Sequence, residues 1–184
     1  KRQVQTEDQN ENLKNKFIEG FKDFWTTGEL SDFTIIVSDH KFKVHRTVLA
    51  MQSKFFRKTF AESSIKELEI NWLSAEAVEE VLKWIYTEEM PTADNAEEVF
   101  ALSSRLQIPD LVKITEDLIL EKLSDENVME IFELGNRHGS EKIKKKTFDE
   151  MKIIIDGSEL NETLMEKPEE LKKYFEAKKK IWMK

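Results

Sequence analysis

Apolar residues recur every three or four positions near the start of the chain, and this spacing predicts an amphipathic helix. The helix is expected to end at Gly28, because glycine commonly stops a helix. The segment before the stripe, residues 1–12, is mostly polar and is predicted to be a flexible tail. The apolar positions of the stripe are Leu13, Phe17, Phe21 and Phe24.

A β-hairpin is predicted next, because short segments rich in β-branched or alternating apolar residues favour strands. The first strand is expected over 33–37 and the second over 42–44, where Phe42 and Val44 alternate with lysine. Residues 38–41 are predicted to form the turn between them. A third short strand is predicted at 68–70.

The remainder of the chain has helical periodicity and recognisable helix starts. Ser53 and Ser74 are each expected to cap a helix with the side-chain oxygen. Asp94 or Asn95 caps another predicted helix, and Pro109 suits the first position of the next one. Further helices are predicted to begin near Ser124, Ser140, Asn161 and Pro168. Strands that cluster early and helices that cluster late predict an α+β fold.

Composition limits the classes of protein that fit. The chain has 184 residues, of which 39% are hydrophobic, enough for one large domain or one domain with a helical appendage. A net charge of −8 disfavours nucleic acid as a direct partner. No apolar run approaches the roughly 20 residues of a membrane span, and no secretory signal is visible. A cytoplasmic or nuclear location is therefore expected, and a longer parent protein with an upstream domain stays open, because the sequence does not begin with Met.

No pattern typical of catalysis, of metal binding or of cofactor binding is found in the sequence. Phosphate-binding glycine loops and the usual serine hydrolase and zinc protease motifs are missing, and the chain has no cysteine. His45 lies among apolar residues and is interpreted as structural, with its ring bonded to backbone or to Asp32. The lysines at 142–146 are interpreted as the solvated face of a helix. No enzyme activity and no cofactor are therefore predicted.

Four separated motifs, in the same order along the chain, resemble those of the BTB/POZ domain. Such domains carry a Leu and an Asp before the first strand, a His that opens a core helix, and later a Ser-x-x-Phe element. They also carry an aromatic-Ile-Tyr-Thr run at a helix end, and a Leu-Gln-Ile run before another helix. The four matches here are Leu30 with Asp32, then His45 with Leu49-Ala50 and Ser53-Lys54-Phe55-Phe56, then Trp84-Ile85-Tyr86-Thr87, and last Leu106-Gln107-Ile108.

The resemblance to the BTB/POZ domain covers residues 13–122 and implies a small sheet of short strands flanked by helices. Residues 123–184 resemble the helical extension called BACK, or its shorter form the 3-box, found in MATH-BTB adaptor proteins. No MATH or kelch module is recognised in this chain. The expected architecture is therefore a BTB/POZ fold followed by an all-helical extension.

The resemblance also implies partners and contact residues. In such adaptors an apolar-x-Glu element before the third strand meets cullin-3. Phe60-Ala61-Glu62 is the first match here and Ile65-Lys66-Glu67 the second, although Phe60 equally fits a core position beside Phe55 and Phe56. The residues expected to contact cullin-3 are Phe60, Glu62, Phe56, Ile65 and Tyr86.

The first helix of such domains commonly packs across a two-fold dimer interface. The resemblance therefore places Leu13, Phe17, Phe21 and Phe24 in a homodimer contact, with packing on the chain's own core as the alternative. The predicted function is that of a homodimeric, non-catalytic substrate adaptor of a cullin-3 ubiquitin ligase, whose protein substrate no motif identifies. The alternative is a dimerising scaffold that recruits transcriptional or cytoskeletal partners without a cullin. Neither nucleic acid nor membrane is an expected partner.

Overall fold

The computed structural model describes residue 16, residues 18–155 and residues 162–182. Helix α1 occupies residues 18–27 and ends before Gly28, which adopts a positive φ of 63°. The predicted tail, residues 1–12, lies outside the described residues, as do Leu13 and Phe17 of the apolar stripe. The described part of the stripe is thus limited to Phe21 and Phe24.

A three-stranded sheet follows, with the spatial order β2-β1-β3. Strand β1 (Phe33–Val37) is antiparallel to β2 (His40–Val44) and parallel to β3 (Glu67–Glu69). Ile35 pairs with Phe42 on one side and with Leu68 on the other. Alternate residues of β1 are buried, so one face of the strand packs on the core. The predicted strands are confirmed, although β2 begins two residues early and β3 is shifted by one residue.

Helices flank this sheet and account for most of the first part of the chain. Ser53 caps α3 by accepting the N–H of Phe56, and Ser74 caps α4 by accepting the N–H of Ala77. Both caps confirm the sequence prediction. The bounds are Arg46–Gln52 for α2, Lys54–Glu62 for α3, Ala75–Thr87 for α4, Ala96–Arg105 for α5 and Pro109–Glu121 for α6.

Two compact units divide between Val112 and Lys113, inside α6. The second unit continues with a helical pair, a 3-10 helix and a final helix. Its core is a cluster in which Phe132 and Phe148 are fully buried. The bounds are Val128–His138 for α7, Glu141–Ile154 for α8, Glu162–Glu166 for the 3-10 helix and Pro168–Trp182 for α9.

Helices α7 and α8 approach each other closely because Gly135 has no side chain. A Cβ atom at this position would lie 2.6 Å from Cγ2 of Ile143, which is itself fully buried.

Ser140 caps α8 by accepting the N–H of Ile143. The Nζ of Lys144, on the following turn, donates to Glu141 and to Glu166 at 3.1 and 3.3 Å. The ion pair between Lys144 and Glu166 links the 3-10 helix to α8.

Two helix starts differ in detail from the sequence predictions. Asn95 precedes α5, but its side chain donates to Oε1 of Glu80 instead of capping the helix. The helix predicted to start near Ser124 begins at Val128, because Asn127 folds a turn by accepting the Ser124 N–H. Across the described ranges, no helix combines the length and hydropathy needed to cross a membrane.

Candidate functional site

The segment between α3 and β3 is held by one arginine. The guanidinium of Arg46 donates to three backbone carbonyls, those of Ile65 at 2.7 Å, Ser63 at 3.1 Å and Phe60 at 3.2 Å. Its backbone N–H donates to Oδ1 of Asp32 at 2.8 Å, which fixes the start of α2. The guanidinium is planar and rigid, so its bonds to three carbonyls fix the path of this segment. Forming these bonds costs the arginine side chain little further conformational freedom. No sequence motif singled out Arg46.

Phe60 closes an aromatic cluster beneath this segment. Its ring packs edge-on against Phe33 at 4.9 Å and stacks on Phe56 at 5.3 Å. The Arg46 guanidinium lies 4.3 Å above the Phe60 ring, within the range of a cation–π contact. Phe60 is consequently half-buried, and much of its surface serves the core.

The residues predicted to meet cullin-3 differ widely in exposure. Ile65 is 38% exposed, and Glu62 at the end of α3 is also exposed. Phe56 is fully buried and Tyr86 is 4% exposed, so neither presents its side chain to a partner. The prediction that Phe56 and Tyr86 contact cullin-3 directly does not fit the structure, because both side chains belong to the core of the first unit. The remaining candidates, Phe60, Glu62 and Ile65, lie on or beside the segment that Arg46 holds.

His45 and Tyr86 form a partly buried hydrogen-bond chain. Nε2 of His45 lies 2.7 Å from the carbonyl oxygen of Glu29, which can only accept, so Nε2 carries the proton. In the neutral imidazole, Nδ1 then accepts from the Tyr86 hydroxyl at 2.7 Å, and that hydroxyl accepts the His45 backbone N–H at 2.8 Å. Each polar atom of this chain has a partner. The ring bonds to backbone as predicted, whereas Asp32 bonds to the Arg46 N–H and not to the ring.

Tyr86→Phe is expected to lower the free energy of unfolding by about 1 kcal/mol at neutral pH, because two part-buried hydrogen bonds to His45 are lost. Burial raises the pKa of Tyr86 to about 12. Since the folded chain keeps the hydroxyl protonated more strongly than the unfolded chain does, this stabilisation is complete below about pH 10 and declines towards pH 12. Urea unfolding between pH 8 and pH 11.5 measures the difference from wild type, which should shrink as pH rises. Tyr174→Phe removes the chain's other tyrosine and serves as the control; an equal pH trend in both variants would contradict the assignment.

The first helix packs on its own chain through a residue outside the predicted stripe. Trp25 stacks on Phe42 at 6.1 Å and tilts against Tyr86 at 5.5 Å. Phe24 lies 5.3 Å from the His45 ring and remains 38% exposed. Phe21 lines an apolar cavity of about 220 Å³ between α1, α2 and α4. Phe24 thus keeps surface available beyond its intramolecular contact.

Within the described ranges, no group of three or more His, Asp or Glu side chains is arranged to hold a metal ion. The exposed and half-buried candidate residues described above lie on α2, α3 and the α3–β3 segment.

Comparison with known protein families identifies the domain that carries these residues. A family model described as the BTB/POZ domain matches residues 21–123. The chain belongs to the BTB/POZ domain family. This match indicates no enzymatic family.

Curated relatives of this BTB/POZ chain include kelch-related proteins. The "Kelch repeat and BTB domain-containing protein 8" of Xenopus tropicalis is 30% identical over 138 residues, covering 72% of this chain and 23% of that protein. The "TD and POZ domain-containing protein 4" of Mus musculus is 28% identical over 148 residues, covering 77% of this chain and 40% of that protein. The chain thus spans less than half the length of either relative.

A solved structure agrees with the fold. The "BTB domain of zebrafish PATZ1" superimposes with a TM-score of 0.53 at 21% sequence identity, covering 58% of this chain and 91% of that chain. This similarity concerns the BTB/POZ fold alone.

Proposed function

We propose that this BTB/POZ chain is a homodimeric substrate adaptor of a cullin-3 ubiquitin ligase, which binds other proteins and breaks no bond itself. The observation that carries the proposal is the exposure of Ile65 in a segment whose backbone Arg46 fixes. The family resemblance assigns cullin contact to an apolar-x-Glu element at this place in the chain. Similarity to kelch-related BTB proteins supports a function in binding other proteins.

Between the two candidate elements, Ile65-Lys66-Glu67 suits a contact better than Phe60-Ala61-Glu62. Interface anchors are side chains that fill a partner's pocket, so they need accessible apolar surface before binding. Ile65 has such surface, whereas the Phe60 ring is covered by Phe33, Phe56 and Arg46. We therefore assign the anchor to Ile65 and a supporting position beneath it to Phe60.

The homodimer part of the proposal relies on the first helix. Phe24 is 38% exposed, and Phe21 borders an apolar cavity with Ile18 and Ile85. A two-fold interface needs a self-complementary patch, and an apolar helix face provides one. Two linked copies would hold two cullin arms in one assembly, and the resulting avidity would favour substrates with several binding sites.

Calorimetric titration of the chain with the N-terminal domain of cullin-3 tests this function. Wild type is expected to bind with micromolar or tighter affinity, and Ile65→Asp to weaken binding by at least about tenfold because a charge replaces the anchor. Ile153→Asp is the matched control, since Ile153 is an exposed isoleucine of α8 in the second unit and should leave affinity unchanged. Light scattering of the same samples reports whether the chain is a dimer. A folded dimer that fails to bind would contradict the adaptor function and favour the scaffold alternative.

A further inference from the structure

One long stretch of this acidic chain contains basic residues but no acidic ones. Between His40 and Ala61 there are six Lys or Arg residues and no Asp or Glu, although the whole chain carries a net charge of −8. This stretch includes β2, α2 and all of α3 except its last residue, Glu62, so the charge asymmetry falls on elements of one unit. The basic residues are Lys41, Lys43, Arg46, Lys54, Arg57 and Lys58.

A shallow groove of about 460 Å³ runs between α2 and α3 within this basic region. Its lining includes the small residues Ala50 and Ala61 and the half-buried ring of Phe60. Met51 borders the groove and is 58% exposed, a large fraction for an apolar side chain. The groove thus offers an apolar lining that a partner's side chain could cover.

Two arginines line the groove, and both are held in place by backbone carbonyls. Nε of Arg57 donates to Ala50 at 3.0 Å, and its Nη2 donates to Met51 at 3.2 Å. The guanidinium of Arg46 is fixed by the three carbonyls of the α3–β3 segment described above. Each hydrogen bond that the structure describes for these guanidiniums ends on a neutral carbonyl, so both positive charges remain to attract an anion. Preorganised guanidiniums lose little freedom when they bind a carboxylate.

We propose that the α2–α3 groove binds an acidic amphipathic segment of a partner protein. An apolar side chain of that segment covers Ala50 and Ala61, and carboxylates beside it pair with Arg57 and with the exposed Lys58. Lys54, Arg57 and Lys58 are three and four residues apart and so share one face of α3, which matches carboxylates spaced along one face of a helix. This surface is additional to the cullin-3 contact at Ile65 and does not depend on it.

An acidic peptide fits this surface better than nucleic acid does. The groove has an apolar lining, whereas a phosphate backbone requires a continuous basic track along its length. Beyond the groove the chain turns acidic, with Glu62 exposed at the end of α3 and Glu67 and Glu69 exposed in β3. A short segment stays within the basic region, while a duplex would extend over these carboxylates and be repelled.

Selection from an unbiased display library of peptides about three helical turns long tests the proposal, with the whole chain as bait. Enriched peptides are expected to combine an apolar residue with Asp or Glu one helical turn away. Synthetic copies, measured by fluorescence anisotropy, should bind at least about tenfold more weakly when Gln replaces their Glu residues. Enrichment of basic or uncharged peptides, or tighter binding of a DNA duplex than of any selected peptide, would overturn the proposal.

Variants of the chain locate the binding. Ala61→Glu places a carboxylate at an exposed position of the groove and should weaken binding by about tenfold or more. Arg57→Gln should weaken it similarly, whereas Arg105→Gln, an exposed arginine outside the groove, should leave it unchanged. Selected peptides that bind wild type and Ala61→Glu equally would show that the groove is not their site. Because Ala61 is exposed, this variant tests the proposal even if Arg57→Gln loses stability.

Discussion

Phe60→Ala is expected to lower the free energy of unfolding by about 2–3 kcal/mol, somewhat less than the 3–5 kcal/mol of a fully buried phenylalanine. The ring contacts Phe33 and Phe56, and the Arg46 guanidinium packs on its face. Truncation removes two aromatic contacts and a cation–π contact together. Chemical denaturation monitored by circular dichroism measures the loss.

The same substitution should weaken cullin-3 binding, but through the supporting position of Phe60 and not through a lost anchor. The variant Phe60→Leu keeps apolar volume under the α3–β3 segment, so it should retain more affinity than Ile65→Asp. Phe55→Ala is the matched control in α3, since the one ring contact described for Phe55 is with Phe56 at 5.4 Å. Equal stability losses for Phe55→Ala and Phe60→Ala, or a larger affinity loss for Phe60→Leu than for Ile65→Asp, would contradict this view.

The burial of Phe60 could not be predicted from the sequence alone. Its spacing from Phe55 and Phe56 places it on an apolar face of α3, and that pattern is equally consistent with a core residue and with an exposed anchor. The covering groups, Phe33 and Arg46, come from other elements, and no local pattern predicts that they meet. The same holds for Tyr86, whose sequence motif is typical of the family but whose hydroxyl partner, His45, lies 41 residues away.

The first helix has two overlapping apolar stripes. Phe21 is followed by Phe24 three residues later and by Trp25 four residues later, and both spacings are helical. The predicted stripe runs through Phe24, whereas the structure packs Trp25 on Phe42 and Tyr86. Only the position of the β-hairpin beside α1 distinguishes the two stripes, and that position is a property of the tertiary fold.

The sequence predicts local structure well where a single side chain determines the geometry, as at helix caps. Ser53, Ser74 and Ser140 all accept the N–H three residues ahead, because a short hydroxyl side chain at a helix start has that group within reach. Asn95 could also have capped a helix, but the carboxylate of Glu80 binds its amide instead. A cap is therefore predictable from sequence until a distant group competes for it.

Gly135→Ala is expected to lower the free energy of unfolding by about 2 kcal/mol, although alanine is the better helix former. Helix propensity alone would stabilise α7 by about 1 kcal/mol. The new Cβ, however, would lie 2.6 Å from Cγ2 and 2.9 Å from Cβ of Ile143, and 3.3 Å from the backbone N of Lys144. Ile143 is fully buried and cannot rotate away into solvent, so α7 and α8 must separate. Overpacking of this kind costs up to about 3 kcal/mol, which exceeds the gain in propensity.

Gly20→Ala makes the same chemical change in a helix without the steric conflict. Gly20 lies in α1, and a Cβ atom there would meet no atom within 4 Å. Propensity should therefore dominate, and the variant is expected to be as stable as wild type or more stable by up to about 1 kcal/mol. Urea denaturation of both variants and of wild type measures the change in the free energy of unfolding. If close packing of α7 on α8 decides the outcome at Gly135, Gly135→Ala should lower this free energy and Gly20→Ala should not. A stabilising Gly135→Ala would mean that the helical pair adjusts its spacing at little cost, and that Gly135 is not required for the approach of the two helices.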